Sequence, residues 1–263
     1  MTRLPLSLSD RISRSSRGFT LIEIAVSLFI LTLVLGVLLA PLATQTEERQ
    51  AKEAERAMTE MLEALVGFAL SQATPRLPCP DRTSGGAGTV NDTANDGIED
   101  FNSGTGICAV EDGNLPWVTL GVTPSDPWGN RYRYLATSAF TNRSPATTMA
   151  LSSAGNIKVC AGAPSNAVCT VGGVANSYVA DNVPAAIVSH GKNGFGAMNS
   201  SSNVQISATD ASTHEAENAG GTYPYSLVSR VRTDSGSGAF DDIVIWLSPN
   251  VLFSRLVAAN KLP

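Results

Sequence analysis

The chain has 263 residues, with 18 Lys and Arg against 23 Asp and Glu and a net charge of −5. That length can bury one sizeable core or two small ones. The acidic balance leaves no basic stripe to neutralise phosphates, so nucleic acid is not an expected partner. Two His exclude a three-histidine zinc site. With only 16% charged residues, 23 Gly and 14 Pro, the composition favours strands and turns over a helical bundle.

Charge is unevenly spread. Residues 1–18 hold Arg3, Arg11, Arg14 and Arg17 against Asp10, four positive charges less one negative, or +3. The other 245 residues therefore carry −8. Directly after the basic end, Phe19 to Leu42 runs for 24 residues with Glu23 as its one charge. A helix needs about 20 such residues to span a bilayer. An ordinary removable signal has a shorter apolar core and a small-residue cut site, whereas a cut after Ala43 would put Pro41 at the −3 position. The positive end places residues 1–17 in the cytoplasm and everything after Ala43 outside. Glu23 is the costly residue, because a carboxylate in hydrocarbon demands a partner or a place at the interface.

Arg17-Gly18-Phe19-Thr20-Leu21-Ile22-Glu23 resembles the processing site of type IV prepilins and type II secretion pseudopilins. The resemblance implies that a membrane-embedded prepilin peptidase cuts after Gly18 and methylates the new amine of Phe19. Glu23 becomes mature residue five. In the fibre it pairs with the Phe19 amine of a neighbouring subunit, which neutralises the acid and sets register. The implied partners are the peptidase, other pilin or pseudopilin subunits, and an inner-membrane assembly platform. The implied location is the bacterial inner membrane, single-pass, with a cytoplasmic leader and a periplasmic head that is built into a periplasmic or surface fibre.

Beyond the apolar run, Ala51, Ala54, Met58, Met61, Leu65 and Phe68 are spaced 3, 4, 3, 4, 3, one apolar stripe of an amphipathic helix. Glu48 and Lys52 form an i,i+4 pair on its polar side. Gly36 and Pro41 are expected to bend or loosen this helix, and Pro75 and Pro78 to end it. A helix over 20–71 would be roughly 78 Å long. The expected fold is α+β and pilin-like, a long N-terminal helix packed on a β-rich head. Its parts are a leader at 1–18, a transmembrane half-helix at 19–43, a periplasmic half-helix at 44–74 and a head at 75–263.

Within the head, 84–106 reads as a long loop. Strands are expected at Leu115–Leu120 and at Arg131–Leu135, where Tyr132 and Tyr134 alternate with Arg131 and Arg133. Asp126-Pro127-Trp128-Gly129-Asn130 is a turn. With Arg131 and Tyr132 it resembles the DPWGNPY-like segment of major pseudopilins, Arg131 standing in for Pro. Further strands are expected at Met149–Leu151, Ile157–Cys160, Ala185–Ser189 and Phe240–Leu247. Residues 199–239 read as exposed loops. Ser248-Pro249 opens a terminal helix that packs Leu252, Phe253 and Leu256.

Cys79, Cys108, Cys160 and Cys169 all follow the apolar run, on the oxidising side. Three pairings are possible. Sequence proximity favours Cys79–Cys108 and Cys160–Cys169, and the lack of any CxxC argues against zinc. Ser189-His190 is a poor catalytic pair, since neighbours on a strand face opposite ways. Asp92, Asp96 and Gly97 only partly echo an EF-hand loop. Asp242-Ile243 and Trp246 resemble the DADIxxW segment that helps bind calcium in major pseudopilins. Phe240 stands in place of the first Asp, with Asp241 as substitute and Glu215 or Glu217 as possible further ligands. No convergent catalytic set is present, so the expectation is a structural subunit and not an enzyme. It would assemble into a type II secretion pseudopilus as a minor component. The alternative is a minor pilin of a type IV pilus with an adhesive or DNA-uptake role.

Overall fold

A computed structural model describes residues 18–85, 93–143, 149–161, 164–165, 168–171, 174–175, 178–220, 225–233 and 239–262. The side chains of 37–44 and of the strand residues between 162 and 177 are outside that set. The helices are α1 (Leu21–Ser71), α2 (Trp117–Leu120), α3 (Ser138–Thr141), α4 (Thr213–Ala219) and α5 (Pro249–Ala258). The strands are β1 (Asp112–Asn114), β2 (Arg133–Ala136), β3 (Ile157–Cys160), β4 (Pro164–Ser165), β5 (Val168–Val171), β6 (Val174–Ala175), β7 (Tyr178–Val183), β8 (Ala185–Ser189), β9 (Ser226–Val228) and β10 (Ile243–Leu247). The α+β class expected from the sequence is therefore observed.

The chain divides into two compact units, Met1–Glu48 and Arg49–Pro263. In the first, α1 exposes its apolar side chains from Leu21 to Leu35. Among the described residues no helix is long and apolar enough to cross a membrane. The expected span at 19–43 runs into 37–44, whose side chains lie outside the described set, as do residues 1–17 of the expected leader. Helical assignment continues through Gly36 and Pro41.

In the second unit the main sheet runs β1-β2-β8-β10, antiparallel throughout. Its strands alternate between two cores, as a period of two requires. Tyr134, Ala136, Ala185, Ile187 and Leu247 share a core with Ala51, Ala54, Met58, Met61 and Leu65 of α1 and Leu252 and Leu256 of α5. Leu135, Ala186, Val188 and Val244 face a second core with Ile157, Val159, Val183 and Leu227. That second core comes from the sheet β7-β3-β9, in which β3 pairs antiparallel with β7 and parallel with β9. A third sheet, β4-β5-β6, is a small antiparallel ladder.

This layering corrects several expectations. Residues 131–135 are not half-buried, because both sheet faces are covered: all four residues of β2 are buried. Arg133 survives burial by binding both oxygens of Asp112, at 2.8 and 2.6 Å. Leu115–Leu120 is not a strand. Pro116 precedes the short helix α2, and Gly121, in the left-handed region at φ 69°, closes it. Met149–Leu151 leads into a turn, with Ser153 N donating to Ala150 O. Residues 199–239 are not all exposed loop, since they contain α4 and β9. Phe68, the last member of the stripe, is half-buried beneath the guanidinium of Arg76, 5.0 Å from its ring centre. Ser248 is the N-cap of α5 but makes no side-chain capping bond there.

The loop after α1 is held by Glu99. Arg76 binds both of its oxygens at 2.7 Å, Arg143 binds one at 3.0 Å, and Cys79 N donates to it at 3.1 Å. The disulfide Cys79–Cys108 closes the same loop. Cys160 is also disulfide-bonded, and Cys169, its expected partner, has its side chain outside the described set. A four-thiolate zinc site is incompatible with these bonds. Removing the acid from this buried pair strands Arg76, so Glu99→Ala is expected to lose about 3–5 kcal/mol of stability. Urea unfolding of the detergent-solubilised chain measures it; a loss below 1 kcal/mol would refute the burial argument.

Candidate functional site

Two places bring candidate functional side chains together. The first is the start of α1. Gly18 is exposed, a Cβ there would meet nothing within 4 Å, and Phe19 is 77% exposed. The Gly18–Phe19 peptide is thus open to a protease. Glu23 lies in the first turn, where the helix dipole favours a negative charge. Its N–H donates to Thr20 Oγ1 at 3.3 Å, and Thr20 N donates back to Glu23 Oε2 at 3.4 Å. This reciprocal pair is a capping box. The T-x-x-E pattern was present in the sequence as its signal.

The second is a carboxylate cluster at the entrance to β10. Oxygens of Glu215, Asp241 and Asp242 lie within 4.8 Å of one another. The turn before β2 builds one wall. Asp126 Oδ1 accepts from Trp128 N and Asn130 N at 3.1 and 2.8 Å, and Asp126 Oδ2 accepts from Ser189 Oγ at 2.8 Å. Asn130 Nδ2 then donates to Gly191 O at 3.3 Å. Gly191 has φ 59°, and a Cβ there would sit 2.5 Å from Asp241 Cγ, so a side chain is barred twice over. Beyond it Asn193 N donates to Asp241 Oδ2 at 2.9 Å, and Asn193 Nδ2 to Glu215 Oε1 at 2.8 Å.

The other wall is α4. Ser212 and Glu215 form its capping box, with Ser212 N donating to Glu215 Oε2 at 3.1 Å. Asn218 Nδ2 donates to Asp242 Oδ2 at 2.8 Å. Asp241 Oδ1 and Asp242 Oδ1 are buried without a hydrogen-bond partner. Asp242 Oδ1 faces the fully buried His190, 3.7 Å from Nδ1. Burial, then the charges of Asp242 and Glu215, push the Asp241 carboxyl from 3.8 up to about 6. All three donors are oxygens, two of them orphaned, which is the chemistry of a hard cation such as calcium.

Of the two glutamates considered with these aspartates, Glu215 joins them. Glu217 instead accepts from Ser226 Oγ. The EF-hand echo does not form: Asp92 lies outside the described residues, and Asp81, not Asp96, accepts from Asn95 N and Gly97 N at 3.0 Å each. Ser189 Oγ spends its hydrogen bond on Asp126 Oδ2, which leaves no Ser–His hydrogen bond for nucleophilic chemistry.

Residues 13–39 match the family model described as the prokaryotic N-terminal methylation motif. That motif is the signature of type IV pilins and pseudopilins and marks a substrate of prepilin peptidase that assembles with other pilin subunits. No curated protein and no solved structure matches the chain.

A carboxyl whose pKa is raised by folding holds a proton that the unfolded chain releases, so its contribution to stability falls as pH rises. For Asp241 that fall runs from about 3.8 to about 6. In chelator, Asp241→Asn is expected to match the parent in melting temperature near pH 4 and to exceed it above pH 6. A variant-minus-parent difference that stays flat across that window would refute the assignment.

Proposed function

We propose that this chain is a structural pilin-like subunit of a type II secretion pseudopilus, present as a minor component. Prepilin peptidase cuts it between Gly18 and Phe19 and methylates the Phe19 amine. The observation that carries this reading is the methylation motif at residues 13–39, set on an exposed Gly18–Phe19 peptide with Glu23 in the first turn behind it. The exposed apolar side chains of Leu21 to Leu35 suit a membrane and then a fibre core. The leader is cytoplasmic and the head periplasmic, which agrees with the disulfide Cys79–Cys108. Assembly at an inner-membrane platform places a Phe19 amine beside the Glu23 of a neighbour.

The Asp126–Asn130 turn, with its likeness to major pseudopilins, favours the secretion machine. The added sheets β7-β3-β9 and β4-β5-β6 enlarge the head beyond a compact repeating subunit and favour a minor position. The same enlarged head supports a second reading, a minor pilin of a type IV pilus whose surface serves recognition. Calcium held by Glu215, Asp241 and Asp242 staples α4 to the start of β10 in either machine.

Coexpression with prepilin peptidase and mass spectrometry tests the first step. The expected product starts at N-methyl-Phe19, Gly18→Leu stays full-length, and Glu23→Val is cut but fails to enter fibres. Retention of residues 1–18 beside an active peptidase would overturn the proposal. Crosslinking in cells then identifies whether the neighbours are secretion pseudopilins or pilus subunits. For calcium, a ten-fold excess over Kd is expected to add about 1.4 kcal/mol of stability. Asp242→Asn should abolish that gain; an EDTA-insensitive melting temperature in the parent would remove calcium from the account.

A further inference from the structure

We propose that a cleft beside the start of β2 binds a single carboxylate group, gripped by Arg131. The cleft has a volume of about 80 Å³ and is lined by Thr83, Asp112, Asn114, Arg131, Arg133 and Gln205, among others. A cavity needs only about 10–15 Å³ on this measure to hold one water, so the cleft has room for a small organic acid group.

Arg131 is 7% exposed. Its Nε and Nη2 donate to Asn203 Oδ1 at 3.3 and 2.8 Å, and Nη2 also reaches Ser200 O at 3.5 Å. The ring of Trp117 lies 4.1 Å from its guanidinium carbon. These contacts fix the plane of the guanidinium. Nη1 has no hydrogen-bond partner among the described residues, and Arg131 forms no ion pair with any described carboxylate. Nη1 is not sealed from solvent, so it is the donor an anion in the cleft meets, and a charge-assisted bond to a carboxylate is favoured there.

The neighbouring charges do not supply that counterion. Arg133 lies in the same cleft, but its donors are consumed by both oxygens of Asp112, by Gly220 O and by Asn218 O. The lining charges, two arginines and one aspartate, sum to +1, which suits a monoanion. A dianion would be repelled by Asp112. Asp81 is the acid whose charge Arg131 feels, yet burial pushes its carboxyl up to about 7, so it offers only part of a charge at neutral pH. At the rim, the exposed Thr83 hydroxyl is a second donor for the other carboxylate oxygen.

The three tryptophans make a direct test possible, because only Trp117 stacks on Arg131. The full-length chain in detergent micelles is followed through its indole N–H resonances. Chloride is replaced by acetate at constant ionic strength. A saturable shift of Trp117, with Trp128 and Trp246 unmoved, is expected. Thr83→Glu supplies a carboxylate at the rim; it should move Trp117 toward the acetate-bound position and abolish the acetate response. Arg131→Gln should also lose the response, and unchanged Trp128 and Trp246 resonances report that each variant is folded. A peptide with one internal Glu and an amidated end distinguishes the source: saturation by this peptide assigns a partner's acidic side chain, and saturation by acetate alone assigns a free small acid. A shift linear in acetate, an equal shift at all three indoles, or tighter binding of inorganic phosphate than of acetate would overturn the proposal.

Discussion

The head rests on the burial of one helical stripe. Ala54, Met58, Met61 and Leu65 have no solvent exposure, and they sit in the same core as Tyr134, Ile187 and Leu252. A helix this polar on its other side, with Arg49, Lys52, Glu53, Glu55 and Arg56, draws its stability from tertiary packing more than from propensity. The main sheet must then present apolar residues to both α1 and the second sheet. That double demand explains why β2 and β8 are buried at every position and why the charge of Arg133 needs Asp112 beside it. The end of α1 is tied down as well, because Lys261 Nζ donates to Gln72 O at 2.8 Å.

From this scaffold a chain of polar contacts leads to the carboxylate cluster. Asp126 organises its own turn and accepts a hydrogen bond from the Ser189 hydroxyl. Asn130 holds Gly191, Asn193 holds Asp241 and Glu215, and Asn218 holds Asp242. Asn218 is itself fixed, since its Oδ1 accepts from Val228 N at 2.7 Å and its Nδ2 donates to Val228 O at 3.0 Å. The groups that reach the carboxylates, from Ser189, Asn193 and Asn218, are neutral amides and a hydroxyl, so the oxygens are oriented while their charge is left uncancelled. That residual negative charge is what would draw a cation to the place.

Legibility from sequence followed the range of the interactions involved. The stripe on α1 and the Gly18–Phe19–Glu23 pattern depend on near neighbours, and both were readable. The residues 131–135 misled because alternation reveals which side chains share a face, not whether the opposite face is covered. Composition misled over 199–239, where Ser, Gly and Asn conceal a helix whose buried Glu215 and Asn218 meet partners far away in the chain. The S-x-x-E box at Ser212 is the local cue there. Asp241 and Asp242 were nameable only through resemblance, and the choice of Glu215 over Glu217 depended on which side of a short helix each occupies. The short helix α2 was hidden because four residues between Pro116 and Gly121 carry too little periodicity to distinguish coil from strand.

Glu215 has two duties, and they constrain each other. Its Oε2 caps α4 through Ser212 N, while its Oε1 accepts from Asn193 Nδ2 and from Asp241 N at 3.2 Å. Oε1 already accepts twice, so a divalent ion would engage this residue through the remaining lone pair of Oε2, beside the capping bond. With one orphan oxygen each from Asp241 and Asp242, the side chains furnish three ligands, against the six to eight that calcium takes. Solvent and main-chain carbonyls would complete the shell, and such a loosely furnished shell belongs with sites of about 10⁻⁴–10⁻³ M affinity. Loading would then track the mineral content of the surroundings, empty in a calcium-poor cytosol and filled where the ion is abundant.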